Sequence, residues 1–189
     1  MIPKPTAEEY APFYAGYIAT VDRSDVIEVL DEQPSRLRAR CAALDEESAR
    51  YRYGPDKWSI KEVIGHLADS ERVFAYRALR IGRGDATPLP GFDEKPYVAA
   101  AGFDRRPLAS LIGEFAAVRA SSLILLRSFG SEVWELRGVA SDAPVSVRAL
   151  VHIMAGHVEH HLSILRERYG LAAATPPTAA APGPERASR

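Results

Sequence analysis

Four of the chain's five histidines fall within ten residues near its C-terminal end: His152, His157, His160 and His161. The fifth, His66, lies far upstream in the run Trp58-Ser-Ile-Lys-Glu-Val-Ile-Gly-His66. Neutral imidazole is the commonest side-chain metal ligand. The first question is therefore whether three of these rings can meet around one ion. Helical geometry sorts the C-terminal four, since helical residues advance by roughly 100° each. His161 lies roughly 40° from His157, one turn on and on the same face. Leu150, Ile153, Met154, Ile164 and Leu165 point the same way, so this pair faces a core. His160 falls at the edge of that stripe. His152 falls roughly 140° away and is expected to face solvent.

His66 lies on the flank of a second apolar stripe, with Val63, Leu67, Ser70 and Phe74. Spacing alone does not tie it to the other pair. Two buried neutral imidazoles need partners for their polar nitrogens; a metal, ordered waters or a carboxylate would each serve. The zincin motif His-Glu-x-x-His is absent, because Val158 follows His157. Three histidines on two helices would match a catalytic-type site with an open coordination position.

The elements that must position these residues are helices. The first is expected over Asp25 to Leu44, with a kink or a break at Pro34. The second opens with Ser59-Ile-Lys-Glu62, a capping box, and runs to Ile81. The third starts near Arg106-Pro107, carries Leu108, Leu111, Ile112, Phe115, Leu123, Leu126 and Phe129, and ends at Gly130. The fourth spans about Ser146 to Tyr169, and a short helix covers Ala7 to Tyr17. No segment shows a strand pattern. The expectation is an all-α four-helix bundle with a long linker, Gly82 to Arg106, between helices 2 and 3. Residues 1–170 form one domain, and 171–189 read as a disordered Ala/Pro-rich tail.

Composition limits the function classes. The net charge is −1, with no basic excess to suggest nucleic acid or an anionic membrane. No apolar run is expected to reach the roughly 20 residues that span a bilayer. No secretory signal opens the chain, so a cytoplasmic protein is expected. The lone Cys41 excludes an internal disulfide framework and reads as a buried structural thiol.

Other polar residues come into view around the histidines. Asp69 and Ser70 each lie about one turn from His66 and could hydrogen-bond a ligand ring. Arg77 shares the His66 face about 16 Å along the helix axis; a surface ion pair is its expected role, an anionic substrate group the alternative. Gln33, beside Pro34, is a further candidate lining residue. Trp58 and Trp134 read as packing residues. Phe92, Asp93 and Tyr97 on the linker read as loop packing, with a rim or lid as the alternative.

Three segments carry a family resemblance: Lys57-Trp-Ser-Ile-Lys-Glu-Val-Ile-Gly-His66 and its continuation through Arg77 to Arg80; Leu89-Pro-Gly-Phe-Asp93; and Ala155-Gly-His157-Val-Glu-His-His161. Over about Tyr10 to Tyr169 the chain resembles the DinB-like superfamily. That superfamily includes the YfiT-type metal-dependent enzymes, the bacillithiol S-transferases and, more distantly, mycothiol-dependent maleylpyruvate isomerases. The resemblance implies an up-down-down-up bundle and a divalent metal, zinc or nickel, held by His66, His157 and His161. It implies thiol S-transfer to a small-molecule electrophile in detoxification or stress response, with a low-molecular-weight thiol as co-substrate. Metal-dependent hydrolysis is the alternative within the enzyme class. A non-catalytic, metal-stabilised binding or dimerisation module is the alternative outside it, and there His160 or Asp69 would supply a fourth ligand. A homodimer is compatible with a compact bundle.

Overall fold

The computed structural model describes residues 1–23 and 25–172. The tail expected from 171 onward lies almost wholly outside them. In chain order the helices are α1 (Ala15–Ala19), α2 (Val26–Cys41), α3 (Ile60–Gly82), α4 (Glu94–Ala101), α5 (Leu108–Arg127) and α6 (Val147–Glu167). Two short strands, β1 (Arg137–Ala140) and β2 (Ala143–Ser146), pair antiparallel between α5 and α6.

Local chemistry sets the helix ends. Ser59 Oγ accepts from the Glu62 amide at 3.1 Å, and Glu62 returns the bond to the Ser59 amide at 2.8 Å. That is the expected capping box. Ser146 caps α6 through the Ala149 amide at 3.0 Å, and Asp93 caps α4 through the Lys95 amide at 3.0 Å. Pro34 does not break α2, which runs continuously through it.

Four helices make the bundle. α2 and α3 each pack against both α5 and α6. Contacts between helix ends fix the directions. Arg40 near the end of α2 donates to Leu171 O just past α6, so α2 and α6 run the same way. Tyr169 donates to Trp58 O just before α3, so α3 runs opposite to α6. Lys61 at the start of α3 donates to Arg106 O before α5, and Arg127 at the end of α5 pairs with Asp31 near the start of α2. α3 and α5 are therefore parallel, and the order is up-down-down-up.

Three expectations need correction. The linker after α3 is not bare loop, since it contains α4 and the 3-10 turn Phe103–Arg105. The β1–β2 hairpin was not expected; each strand has four residues, too short for alternation to register. And α5 is, by length and composition, apolar enough to cross a membrane. Its Leu and Phe stripe is packed against α2 and α3, as in a core helix of a bundle.

Candidate metal centre

α3 and α6 bring three histidines together. His157 Nε2 lies 3.0 Å from His66 Nε2 and 3.1 Å from His161 Nε2. One donor atom from each ring falls within 4.8 Å of the others. All three side chains are buried. Burial pulls the His66 pKa down to about 4, and holds His157 and His161 well below the ordinary imidazole value. All three are therefore neutral near pH 7, the form that ligates metals.

The donor arrangement fits a divalent ion. A ring nitrogen carries either one proton or one lone pair. His157 Nε2 therefore cannot make two good neutral hydrogen bonds to two other Nε2 atoms. An ion coordinated by all three at about 2.1 Å removes the conflict, and tetrahedral angles would set donors roughly 3.4 Å apart. Among the described residues no carboxylate or thiol joins the group as a fourth ligand.

Glycine precedes both His66 and His157, and each glycine admits a neighbour behind the histidine. A Cβ at Gly156 would lie 2.0 Å from Tyr17 O, and one at Gly65 would lie 2.4 Å from the Phe103 ring. The first close approach seats α1 on α6. The Tyr17 ring then lies 5.5 Å from His157 and 5.1 Å from His160. Trp58 was expected to be packing alone. Its ring sits 4.7 Å from that of His66, so it borders the site directly.

The triad forms one end of a cavity of about 340 Å³. Tyr14, Tyr17, Phe74 and Phe92 give it aromatic walls, and Glu94 lies on its rim. Phe92 thus does more than loop packing, while Tyr97 stacks edge-on against it at 5.4 Å, largely exposed. His161 and Trp58 also line a second cavity of about 510 Å³, beside Lys57 and Lys95.

The remaining candidates separate cleanly. Ser70 is buried, lines the cavity and places its Oγ 3.4 Å from His66 Nδ1. Asp69 pairs with Arg72 at 3.4 Å and does not line the cavity; burial raises its pKa. Gln33 does not line the cavity either. It donates to Ala155 O at 2.8 Å and to Glu159 at 2.9 Å, so it braces α6 from behind the histidines. His160 lies half-buried at the cavity edge and outside the converging group. Cys41 is buried far along α2, with its thiol pushed up to about 11 by burial.

Two expectations are overturned. His152 does not face solvent: it is 2 % exposed, and its Nδ1 lies 2.9 Å from Arg148 O. The N-terminal segment covers that side of α6, anchored where Glu9 accepts from Ser146 and Arg148. Arg77 is no surface ion pair. It is 3 % exposed and lines the cavity.

A buried pair behind the site was missed. Arg119 on α5 holds Glu71 on α3 through two bonds of 2.8 and 2.9 Å, and donates to Gln33 at 2.7 Å. The available signal was a charge of each sign in the middle of an apolar stripe.

Similar proteins are known both by sequence and by structure. Two proteins of Oceanobacillus iheyensis are similar in sequence. "Putative metal-dependent hydrolase OB0413" is 23% identical over 147 residues, covering 77% of this chain and 84% of the relative. OB0782, named likewise, is 24% identical over 152 residues, covering 79% and 87%. The solved structure of YfiT from Bacillus subtilis, described as "a probable metal-dependent hydrolase with an unusual four-helix bundle topology", superposes with a TM-score of 0.68 at 18% identity, over 87% of this chain and 95% of that one. At that identity the likeness speaks to the fold. The DinB superfamily model matches residues 29–165, a span that includes all three converging histidines. The chain belongs to the DinB superfamily.

Proposed function

We propose that the protein is a metal-dependent hydrolase of a small molecule, with His66, His157 and His161 as the metal ligands. The observation that carries this reading is the convergence of three buried, neutral Nε2 atoms at the end of a cavity large enough for a small substrate. A divalent ion held there supplies Lewis-acid polarisation of a substrate oxygen and lowers the pKa of water. The chain's own residues do the rest. Ser70 steadies the His66 ring, and Gln33 fixes the α6 backbone two residues before His157. Tyr14, Tyr17 and Phe74 exclude water from the approach. Glu94 is the carboxylate that lines the cavity and is the group placed to accept a proton there. Zinc and nickel both suit three imidazole donors.

Thiol S-transfer is the second reading. It is favoured by one feature: no carboxylate is hydrogen-bonded to the triad among the described residues. A thiol activated by the ion needs no general base beside it.

The test begins with elemental analysis of purified protein, wild type against His157→Ala and His161→Ala. One equivalent of metal in wild type and loss in both variants is expected; unchanged metal in both sinks the ligand set. The loaded protein is then assayed with chromogenic esters, and with small thiols plus a chromogenic electrophile. Metal-dependent ester cleavage supports hydrolysis. Conjugation without cleavage moves the assignment to S-transfer.

A further inference from the structure

Arg77 lines the same cavity as the histidines, eleven residues along α3 from His66, and its setting is unusual for a buried arginine. It is 3 % exposed, yet no carboxylate among the described residues lies within 4.0 Å of its guanidinium. Its Nη2 donates to Pro90 O at 2.8 Å and to Ser141 Oγ at 3.0 Å. Both acceptors are neutral, and both serve the same nitrogen. An arginine cannot shed its charge, and a buried charge without a counter-charge is costly. Glu94, the acid on the cavity rim, does not pair with it.

Linker and hairpin together hold this arrangement. Ser141 and Asp142 form the tip of the β1–β2 hairpin with φ of 53° and 59°, both left-handed and neither a glycine. Positive φ at both positions is the backbone that a tight two-residue hairpin turn requires. The Leu89 amide donates to Val139 O at 2.9 Å and the Ser141 amide to Leu89 O at 3.1 Å, which ties linker to hairpin. Pro90 O and Ser141 Oγ thereby reach Arg77 together. Along α3, Arg77 stands eleven residues from His66, within roughly 20° of the same direction. Helical side chains lean toward the helix N-terminus, so the guanidinium leans back toward the histidines.

We propose that Arg77, positioned by Ser141 and Pro90, binds the carboxylate of the substrate, which is a small molecule bearing that carboxylate several bonds from the group that reaches the histidines. This rests on the reading of the cavity as a substrate site. The single positive charge of one guanidinium matches one carboxylate, and the planar fork suits its geometry. A phosphate dianion would bring a surplus negative charge into a cavity that already has Glu94 at its rim. The aromatic walls suit the apolar portion between the two ends.

The test is calorimetric titration of the full, metal-loaded protein with phenylacetate, phenylacetamide and phenyl phosphate, in wild type and Arg77→Gln. Wild type should prefer phenylacetate over phenylacetamide by at least about tenfold, the scale of a charge-assisted bond. Arg77→Gln should lose that preference while keeping its metal and its circular dichroism spectrum. Should Arg77→Gln fail to fold, Ser141→Asp serves instead. It sets a carboxylate against the guanidinium at an exposed position whose backbone conformation Asp tolerates, and should abolish the same preference. The proposal is overturned by a preference that survives in either folded variant, by absent phenylacetate binding at millimolar ligand, or by tighter Arg77-dependent binding of phenyl phosphate. Phenylacetate has no hydrolysable bond, so its Arg77-dependent binding is read whether or not the hydrolase reading holds. Metal content in the same samples reports separately on the histidines.

Discussion

Arg119 fills the backbone acceptor that Pro34 leaves open. Proline has no N–H, so the carbonyl four residues before it loses its helical donor. That carbonyl is Leu30 O, and Arg119 Nη1 donates to it at 2.9 Å. α2 therefore continues through its proline without an orphaned buried carbonyl. The same guanidinium grips Glu71 and Gln33, so one side chain joins three bundle helices and, through Gln33, steadies a fourth.

Replacing Arg119 by Met should be severe. It strands a buried Glu71 carboxylate and frees Leu30 O, and removing one partner of a buried pair costs about 3–5 kcal/mol. The double variant Arg119→Met/Glu71→Met should recover most of that loss. Adding Pro34→Ala to Arg119→Met should recover about 1 kcal/mol by restoring the backbone donor. Urea denaturation of the four proteins decides it; a double variant no more stable than Arg119→Met refutes the pairing.

Metal should stabilise only proteins with an intact triad. An ion at a hundredfold excess over its Kd adds about 2.7 kcal/mol. Zinc or nickel added to chelator-treated wild type should raise Tm by several degrees. His66→Ala, His157→Ala and His161→Ala should not respond, whereas His160→Ala should respond like wild type. A silent His160→Ala would place that residue among the ligands.

Acid stability should report on Glu9. Its carboxylate is buried and held below the usual carboxylate range, chiefly by Arg148 and also by Ser146 and Thr6. A depressed folded pKa contributes stability that is present above the unfolded value and lost as pH falls through the folded one. Wild type should therefore lose stability steadily below about pH 4.5, the ordinary glutamate value. Glu9→Gln should be less stable at neutral pH and show a shallower acid limb. Parallel slopes between pH 3 and 5 would exclude Glu9 as a contributor.

Two glycines should respond in opposite directions to alanine. At Gly156 a Cβ would meet Tyr17 O at 2.0 Å, backbone that cannot move cheaply. Gly156→Ala should cost about 1–3 kcal/mol through overpacking and displace α1 from the site. At Gly113, exposed within α5, a Cβ meets nothing within 4 Å. Gly113→Ala should stabilise by about 0.5–1 kcal/mol. Thermal melts of both variants test the pair.

Much of this was legible in the sequence, and the reason is locality. The capping box, the four bundle helices and the shared face of His157 and His161 depend on residues a few positions apart, and a helix fixes those relations by itself. His152 shows where that reasoning ends. A helical wheel weighs only one helix's own pattern, and it had no view of the N-terminal segment that covers the outer side of α6. Arg77 shows the same limit: its hydrogen-bond partners come from the linker and a hairpin tip, some 13 and 64 residues away. The sequence by itself determined which helices form and which two histidines share a stripe. Only the tertiary structure decided that His66 meets them, that Arg119 mends α2 at Pro34, and that Arg77 is buried in the lining of the cavity. Register between helices is set by packing across the whole bundle, and no short-range pattern encodes it.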